Sequence, residues 1–145
     1  MEKFISNSMQ ETLNFAKQFA SKLKSGDVVL LKGDLGAGKT VFAKGIVDFF
    51  SKGKYVAVSP TFVLVNSYEI TPQINHFDLY RLKNIDELYN IGFEELLYSN
   101  SISLIEWPER AREIMPLSSI SVIINKIDDE KREIVVEKYG KYFNN

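Results

Sequence analysis

The chain has 145 residues, 45% hydrophobic and 26% charged, with a formal net charge of −1. That is the composition of one globular domain, long enough to bury about two-thirds of its unfolded surface. The absence of cysteine excludes a disulfide framework and a Cys-based zinc site, and the near-zero charge argues against a broad phosphate-neutralising face for RNA.

In chain order, Ser8-Met9-Gln10-Glu11 has the form of a capping box. Met9, Leu13, Ala16, Ala20 and Leu23 repeat behind it at helical spacing, which predicts a helix running to Ser25-Gly26. Asp27 to Lys32 is an apolar, β-branched-rich strand, followed by a glycine-rich loop at 33–40. Val41, Phe42, Ile46, Val47 and Phe50 then mark a second helix that stops near Ser51-Lys52-Gly53. Phe62 to Ile70 and Ile74 to Asp78 read as two strands of a hairpin turned by Thr71-Pro72-Gln73. Asn84 to Tyr98 is helical with an interruption at Gly92, and Ile102 to Glu106 is a short buried strand. Pro108 opens a helix from Glu109 to Met115, which Pro116 stops. Ile120 to Ile127 and Glu133 to Lys138 are strands around the charged turn Asp128-Asp129-Glu130-Lys131. Strands and helices alternate early and hairpins dominate later. The expected fold is therefore α/β, three layers with a mixed, partly antiparallel sheet in a single domain over 1–145, and the G-x-x-x-x-G-K-[ST] string at 33–40 makes it P-loop NTPase-like. The small lysine groups Lys22, Lys24, Lys32 and Lys52, Lys54 read as solvated surface.

Gly33-Asp34-Leu35-Gly36-Ala37-Gly38-Lys39-Thr40 fits G-x-x-x-x-G-K-[ST]. Glycines let backbone N–H groups turn inward around phosphate oxygens. In such a loop Lys39 reaches the β- and γ-phosphates, and the Thr40 hydroxyl is a Mg²⁺ ligand. The helix starting near Gly38 directs its positive end at the phosphates. The pattern arises by chance in about one chain in 200 of this size at average composition, and the strand–loop–helix setting makes chance a poor account.

Thr40 alone is a weak metal ligand, so a second acid is needed. Two strands end in one, Asp78 and Glu106, and ligands of open α/β sheets collect at the carboxyl ends of strands. The run before Glu106 is the more apolar, as expected beside the phosphate-loop strand, which favours Glu106 for the metal and Asp78 for turnover. Thr61, in Ser59-Pro60-Thr61, is a candidate γ-phosphate sensor, although the string is also ordinary turn chemistry. Trp107, the only tryptophan, has the usual alternative of a core or interface anchor. His76 has no His or Cys cluster around it and reads as a hydrogen-bonded or packing residue. Asn125-Lys126-Ile127-Asp128 matches the guanine-reading N-K-x-D. No D-x-x-G lies between residues 41 and 124, and a strand end with a charged turn explains the match. A small-molecule kinase would usually need an Arg-rich lid, and the four arginines Arg81, Arg110, Arg112 and Arg132 form no cluster in sequence. A nucleotide-gated binding module is the non-enzymatic alternative.

The phosphate loop, Ser59-Pro60-Thr61-Phe62, His76-Phe77-Asp78-Leu79-Tyr80-Arg81-Leu82 and Glu106-Trp107-Pro108 occur in that order. Together they closely resemble the bacterial TsaE (YjeE) family of small ATPases, which act in making the threonylcarbamoyladenosine modification next to the tRNA anticodon. The resemblance spans about residues 8–140. It implies ATP hydrolysis with Mg²⁺ and binding to the TsaB–TsaD complex, whose TsaD subunit transfers the threonylcarbamoyl group, with tRNA contacted indirectly. By motif position it implies that Thr40 and Glu106 are metal ligands, Asp78 lies near the γ-phosphate or the attacking water, Thr61 is a switch-type threonine and Trp107 lies beside the site. It places the adenine near Ser8 to Thr12 and Lys131-Arg132, which makes Thr12 and Arg132 expected ATP contacts. No apolar run approaches the roughly 20 residues of a membrane span, and no signal-peptide core opens the chain. The expected location is the cytoplasm.

Overall fold

The computed structural model describes residues 1–55, 57, 58, 60 and 63–138. Its elements are β1 (Glu2–Ser6), α1 (Met9–Ala20), β2 (Val28–Lys32), α2 (Lys39–Ser51), β3 (Val65–Tyr68), β4 (Gln73–Asp78), α3 (Asp86–Asn90), α4 (Phe93–Leu97), β5 (Ser101–Glu106), a 3₁₀ segment (Pro108–Ile114), β6 (Ile120–Lys126) and β7 (Arg132–Lys138).

All five residues of β2 and all six of β5 are buried, the mark of strands covered on both faces. They lie at the centre of a seven-stranded sheet ordered β1-β7-β6-β2-β5-β4-β3. β6, β2, β5 and β4 run parallel, and antiparallel pairs close both flanks, β1–β7–β6 on one side and β4–β3 on the other. Alternation sends Val29 and Leu31 to one face, where Phe15, Phe19, Phe42 and Ile46 of α1 and α2 pack. Val28 and Leu30 go to the other, against Leu88, Phe93 and Leu97 of α3 and α4 and Ala111 of the 3₁₀ segment. Helices on both faces make the three layers. Each fully buried Leu, Ile or Phe contributes about 1.5–3 kcal/mol. α1 and α2 approach so closely that a Cβ at Gly45 would lie 2.6 Å from the Ala16 Cβ and 3.0 Å from the Leu13 carbonyl oxygen, which accounts for a glycine inside a helix. No helix among the described residues is long and apolar enough to cross a membrane.

Several boundaries move from their expected places. Ser8 caps α1 by accepting from the Glu11 N–H at 3.1 Å, while Glu11 reaches back to the Asn7 N–H at 3.0 Å. The α-helix ends at Ala20, not Ser25, because Lys22 and Leu23 switch to bonds with the carbonyls three residues back; this tighter turn still buries Leu23. The strand expected from Phe62 is regular only from Val65, after Leu64 with φ of 68°; Phe62 lies outside the described residues. Gly92, at φ of 72°, divides α3 from α4. The segment after Pro108 is 3₁₀ rather than α, broken at Ala111 (φ −141°, ψ 45°). β1 was not expected. It is an exposed edge strand with only Ser6 fully buried, too little alternation to register in sequence, and Phe4 anchors it by stacking on Phe15 at 4.5 Å. Lys32 is not solvated surface: it is 8% exposed, and burial lowers its pKa to about 8 against the opposing pull of Glu109.

Candidate active site

The site forms where β2, β4 and β5 end beside the start of α2. The chain leaves β2 through Gly33, whose φ is +151° and where a Cβ would sit 2.5 Å from the Ile124 carbonyl oxygen of β6. The first loop glycine is thus demanded by backbone packing. Gly36 and Gly38 take left-handed φ of 78° and 111°. Gly38 is the N-cap of α2, with no side-chain cap and no acidic residue in the first turn. The first-turn amides are left for an anion.

Lys39 is buried, 5% exposed. Its Nζ donates to the carbonyls of Gly33 and, at 3.4 Å, of Asp34. It also lies 3.6 Å from the centroid of the Trp107 ring. Burial lowers its pKa, opposed by Glu106, Glu109, Asp78 and Asp34. Trp107 adopts φ 58°, ψ 48° directly after β5, an unusual conformation for a bulky residue. That turn brings the ring against Tyr80, at 4.9 Å between centroids.

The register of β4 on β5 pairs Asp78 with Glu106, so both expected acids emerge side by side, and both are buried. The Thr40 hydroxyl lies 3.3 Å from each Glu106 carboxylate oxygen. His76 Nε2 lies 2.6 Å from Glu106 Oε2. Asp78 Oδ1 accepts from the Tyr80 N–H at 3.0 Å.

The opposite wall comes from β7. Arg132 donates from Nε to the Ala37 carbonyl at 2.7 Å and from Nη2 to the Gly36 carbonyl at 3.2 Å, while Nη1 holds the Asp128 and Lys131 carbonyls at 2.6 and 3.0 Å. Its guanidinium therefore grips the loop backbone and its own turn.

A cavity of about 480 Å³ opens between the walls, lined by Leu35 to Thr40 on one side and Asp78, Glu106 and Trp107 on the other. A recess of about 70 Å³ adjoins it through shared residues and adds Thr12, Asp129 and Glu130. Of the expected residues, Leu35, Gly36, Ala37, Gly38, Lys39, Thr40, Asp78, Glu106, Trp107 and Arg132 meet at the main cavity. Gly33 and Asp34 supply carbonyls to Lys39 from behind it. Thr12 lines the recess, but its hydroxyl is engaged with Ser6 Oγ at 2.7 Å. Thr61 lies outside the described residues. Sequence reasoning missed Tyr80 and Val41 as lining residues and His76 as the partner of Glu106. His76 and Asp78 are two apart on a strand and so share a face, the one signal that pointed to it. Among the described residues no three His, Cys, Asp or Glu side chains cluster as a metal cage. The N-K-x-D string is used up in the hairpin. Asn125 donates to Glu133 at 3.1 Å, Lys126 pairs with Asp129 at 3.6 Å, and Asp128 Oδ1 accepts from the N–H groups of Glu130 and Lys131.

The family model for the threonylcarbamoyl adenosine biosynthesis protein TsaE matches residues 6–134. A tRNA threonylcarbamoyladenosine biosynthesis protein TsaE from Rickettsia bellii is 47% identical over 130 residues, covering 88% of this chain and 89% of its own. One of the same description from Bacillus subtilis is 35% identical over 136 residues, covering 92% of this chain and 84% of its own. The crystal structure of Bacillus subtilis YdiB superposes with a TM-score of 0.80 at 28% identity, covering 99% of this chain and 88% of that one. Motifs, fold and relatives converge, and the chain belongs to the TsaE family of tRNA threonylcarbamoyladenosine biosynthesis proteins.

Proposed function

We propose that this protein is a Mg²⁺-dependent ATPase that acts with the TsaB–TsaD complex in forming threonylcarbamoyladenosine in tRNA. The observation that carries the reading is the convergence of Lys39 and Thr40 with Asp78 and Glu106 on one cavity. The donor set suits Mg²⁺: a Thr40 hydroxyl and a Glu106 carboxylate 3.3 Å apart are hard oxygen ligands, and Mg²⁺ is usually held by one or two such groups plus phosphates. When bound, the ion would neutralise charge on the phosphates.

The remaining work belongs to the chain. Lys39 exchanges the Gly33 and Asp34 carbonyls for phosphate oxygens and stays in a dry site where its charge counts for more than in water. The uncapped amides of α2 receive phosphate oxygens. The Asp78 carboxylate accepts a hydrogen bond from the attacking water and orients it, so catalysis is positioning plus electrostatics. The recess beside Met9 and Thr12 takes the base. Contact with tRNA is indirect, in keeping with a net charge of −1, and the protein works in the cytoplasm.

A thermal shift tests the nucleotide. A ligand at 100 times its Kd stabilises by about 2.7 kcal/mol, on the order of 6–12 °C for a domain of this size. Mg-ATP and Mg-ADP produce that shift and Mg-GTP much less; an equal GTP shift overturns the adenine assignment. Turnover is slow alone and changes when TsaB–TsaD is added. Rapid turnover indifferent to those partners refutes the partnership.

A further inference from the structure

Glu106 is buried at the end of β5, and its carboxylate turns on a terminal torsion that is intrinsically broad and two-fold. Something must fix that plane if both oxygens are to stay 3.3 Å from the Thr40 hydroxyl in every molecule. The register places His76 beside Leu104 and Asp78 beside Glu106, and side chains alternate, so His76 and Glu106 share a face of the sheet. The His76 ring is fully buried, and its Nε2 lies 2.6 Å from Glu106 Oε2. The other ring nitrogen, Nδ1, is buried without a hydrogen-bond partner among the described residues. A proton on Nδ1 would leave a buried donor unmade and nothing to donate to the carboxylate. A proton on Nε2 gives the carboxylate its donor and leaves Nδ1 as an acceptor.

We propose that His76 is the positioning residue of the metal site: by donating Nε2–H to Glu106 Oε2 it locks the carboxylate plane toward Thr40. This rests on the ATPase reading above and names a determinant of its metal affinity outside the ligand set. Such outer partners commonly change metal affinity 10- to 100-fold when removed.

The test is the Mg²⁺ midpoint of nucleotide binding, read by calorimetric titration of ATP at graded Mg²⁺, for the parent, His76→Phe and His76→Gln. Phenylalanine fills the space without a donor. Glutamine presents an amide N–H near the position of Nε2. Expected is a midpoint raised about 10- to 100-fold in His76→Phe and returned to within about threefold of the parent in His76→Gln, with ATP binding in the absence of Mg²⁺ unchanged in both. Should His76→Phe not fold, His76→Asn replaces it, since its amide stops near Nδ1 and cannot reach Glu106. A purely structural His76 would lower Tm in both variants and leave the midpoint alone, which overturns the proposal. If the parent itself binds ATP without regard to Mg²⁺, the metal reading of the site falls and the positioning role falls with it. If the parent has a midpoint that the donor-free variant shares, the role of His76 alone is refuted.

Discussion

The two walls of the cavity are built on opposite principles. The β4–β5 wall presents charge from inside the sheet: Asp78, Glu106 and His76 are all buried on parallel strands. On the β6–β7 wall the residue that lines the main cavity is Arg132. Arg132 extends from an exposed antiparallel hairpin and spends its donors on backbone carbonyls of Gly36, Ala37, Asp128 and Lys131. Groups that must act on a phosphate or a metal benefit from a dry setting, where electrostatic interactions are strong. A group that only fixes the shape of a loop works equally well at the rim. Under the proposed function one wall carries chemistry and the other geometry, and each can be disturbed separately.

The largest effects are expected on the chemical wall. Lys39→Ala and Asp78→Ala each lower turnover about 100- to 1,000-fold, the usual loss for one electrostatic stabiliser. Asp78→Ala retains Mg²⁺-dependent ATP binding, whereas Glu106→Ala loses the Mg²⁺ dependence. Calorimetric titration with and without Mg²⁺, beside steady-state turnover, separates them; if Asp78→Ala loses the Mg²⁺ dependence and Glu106→Ala keeps it, the two roles are exchanged. On the geometric side, Gly33→Ala drives a Cβ into the Ile124 carbonyl oxygen of β6 and is expected to lower stability by about 1–3 kcal/mol in urea unfolding. Arg132→Lys cannot reproduce the forked grip on Gly36 and Ala37. It should weaken nucleotide binding about tenfold, through loss of about 1.4 kcal/mol of loop organisation, with turnover of bound ATP within a few-fold of the parent. A turnover loss as large as that of Asp78→Ala would mean that the arginine touches the reacting phosphate, and the division between walls would fail.

The smallest effect lies on the far face of β2. Lys32 has its pKa lowered by burial to about 8, so its charge opposes folding. Below pH 8 the amine is charged in both folded and unfolded states and the full penalty acts. Between pH 8 and about 10.5 the unfolded chain holds more protons and stability rises with pH; above that range the penalty is gone. Lys32→Met is therefore expected to be about 1 kcal/mol more stable than the parent at pH 7 after losing the attraction of Glu109. That advantage should disappear as melting is followed through pH 10.5.

The chemical wall was the more legible in sequence, for a physical reason. Its two acids end strands, Asp78 after Ile74-Asn75-His76-Phe77 and Glu106 after the more apolar Ile102-Ser103-Leu104-Ile105, and ligands of open α/β sheets collect at the carboxyl ends of strands. The loop residues were legible because their roles need particular residue types. The His76–Glu106 contact was not, since it depends on the register between strands separated by α3 and α4. The grip of Arg132 was equally hidden. It was expected near the nucleotide, but a guanidinium bonded to backbone carbonyls leaves no trace in the residues it holds. Lys32 was misread because a lysine at the end of an apolar strand reads as solvated until the Pro108–Ile114 segment is known to cover that face. β1 escaped because an edge strand with one buried position carries almost no periodicity.

The sequence separations within the site have a consequence for how the protein is made. Thr40 meets Glu106 across 66 residues, and Arg132 meets Ala37 across 95. Both neighbours of β2 in the sheet, β5 and β6, are also downstream of it. During synthesis the phosphate loop and its helix thus emerge after α1, which packs on that helix, but before the strands and side chains that flank the loop. A ribosome adding about 5–20 residues per second needs about 5–20 s to travel from Thr40 to Arg132. Until Glu106 is made the nascent loop lacks the acid that faces Thr40, and until Arg132 is made it lacks its clamp. The full lining of the cavity is therefore complete only once the last hairpin has been made.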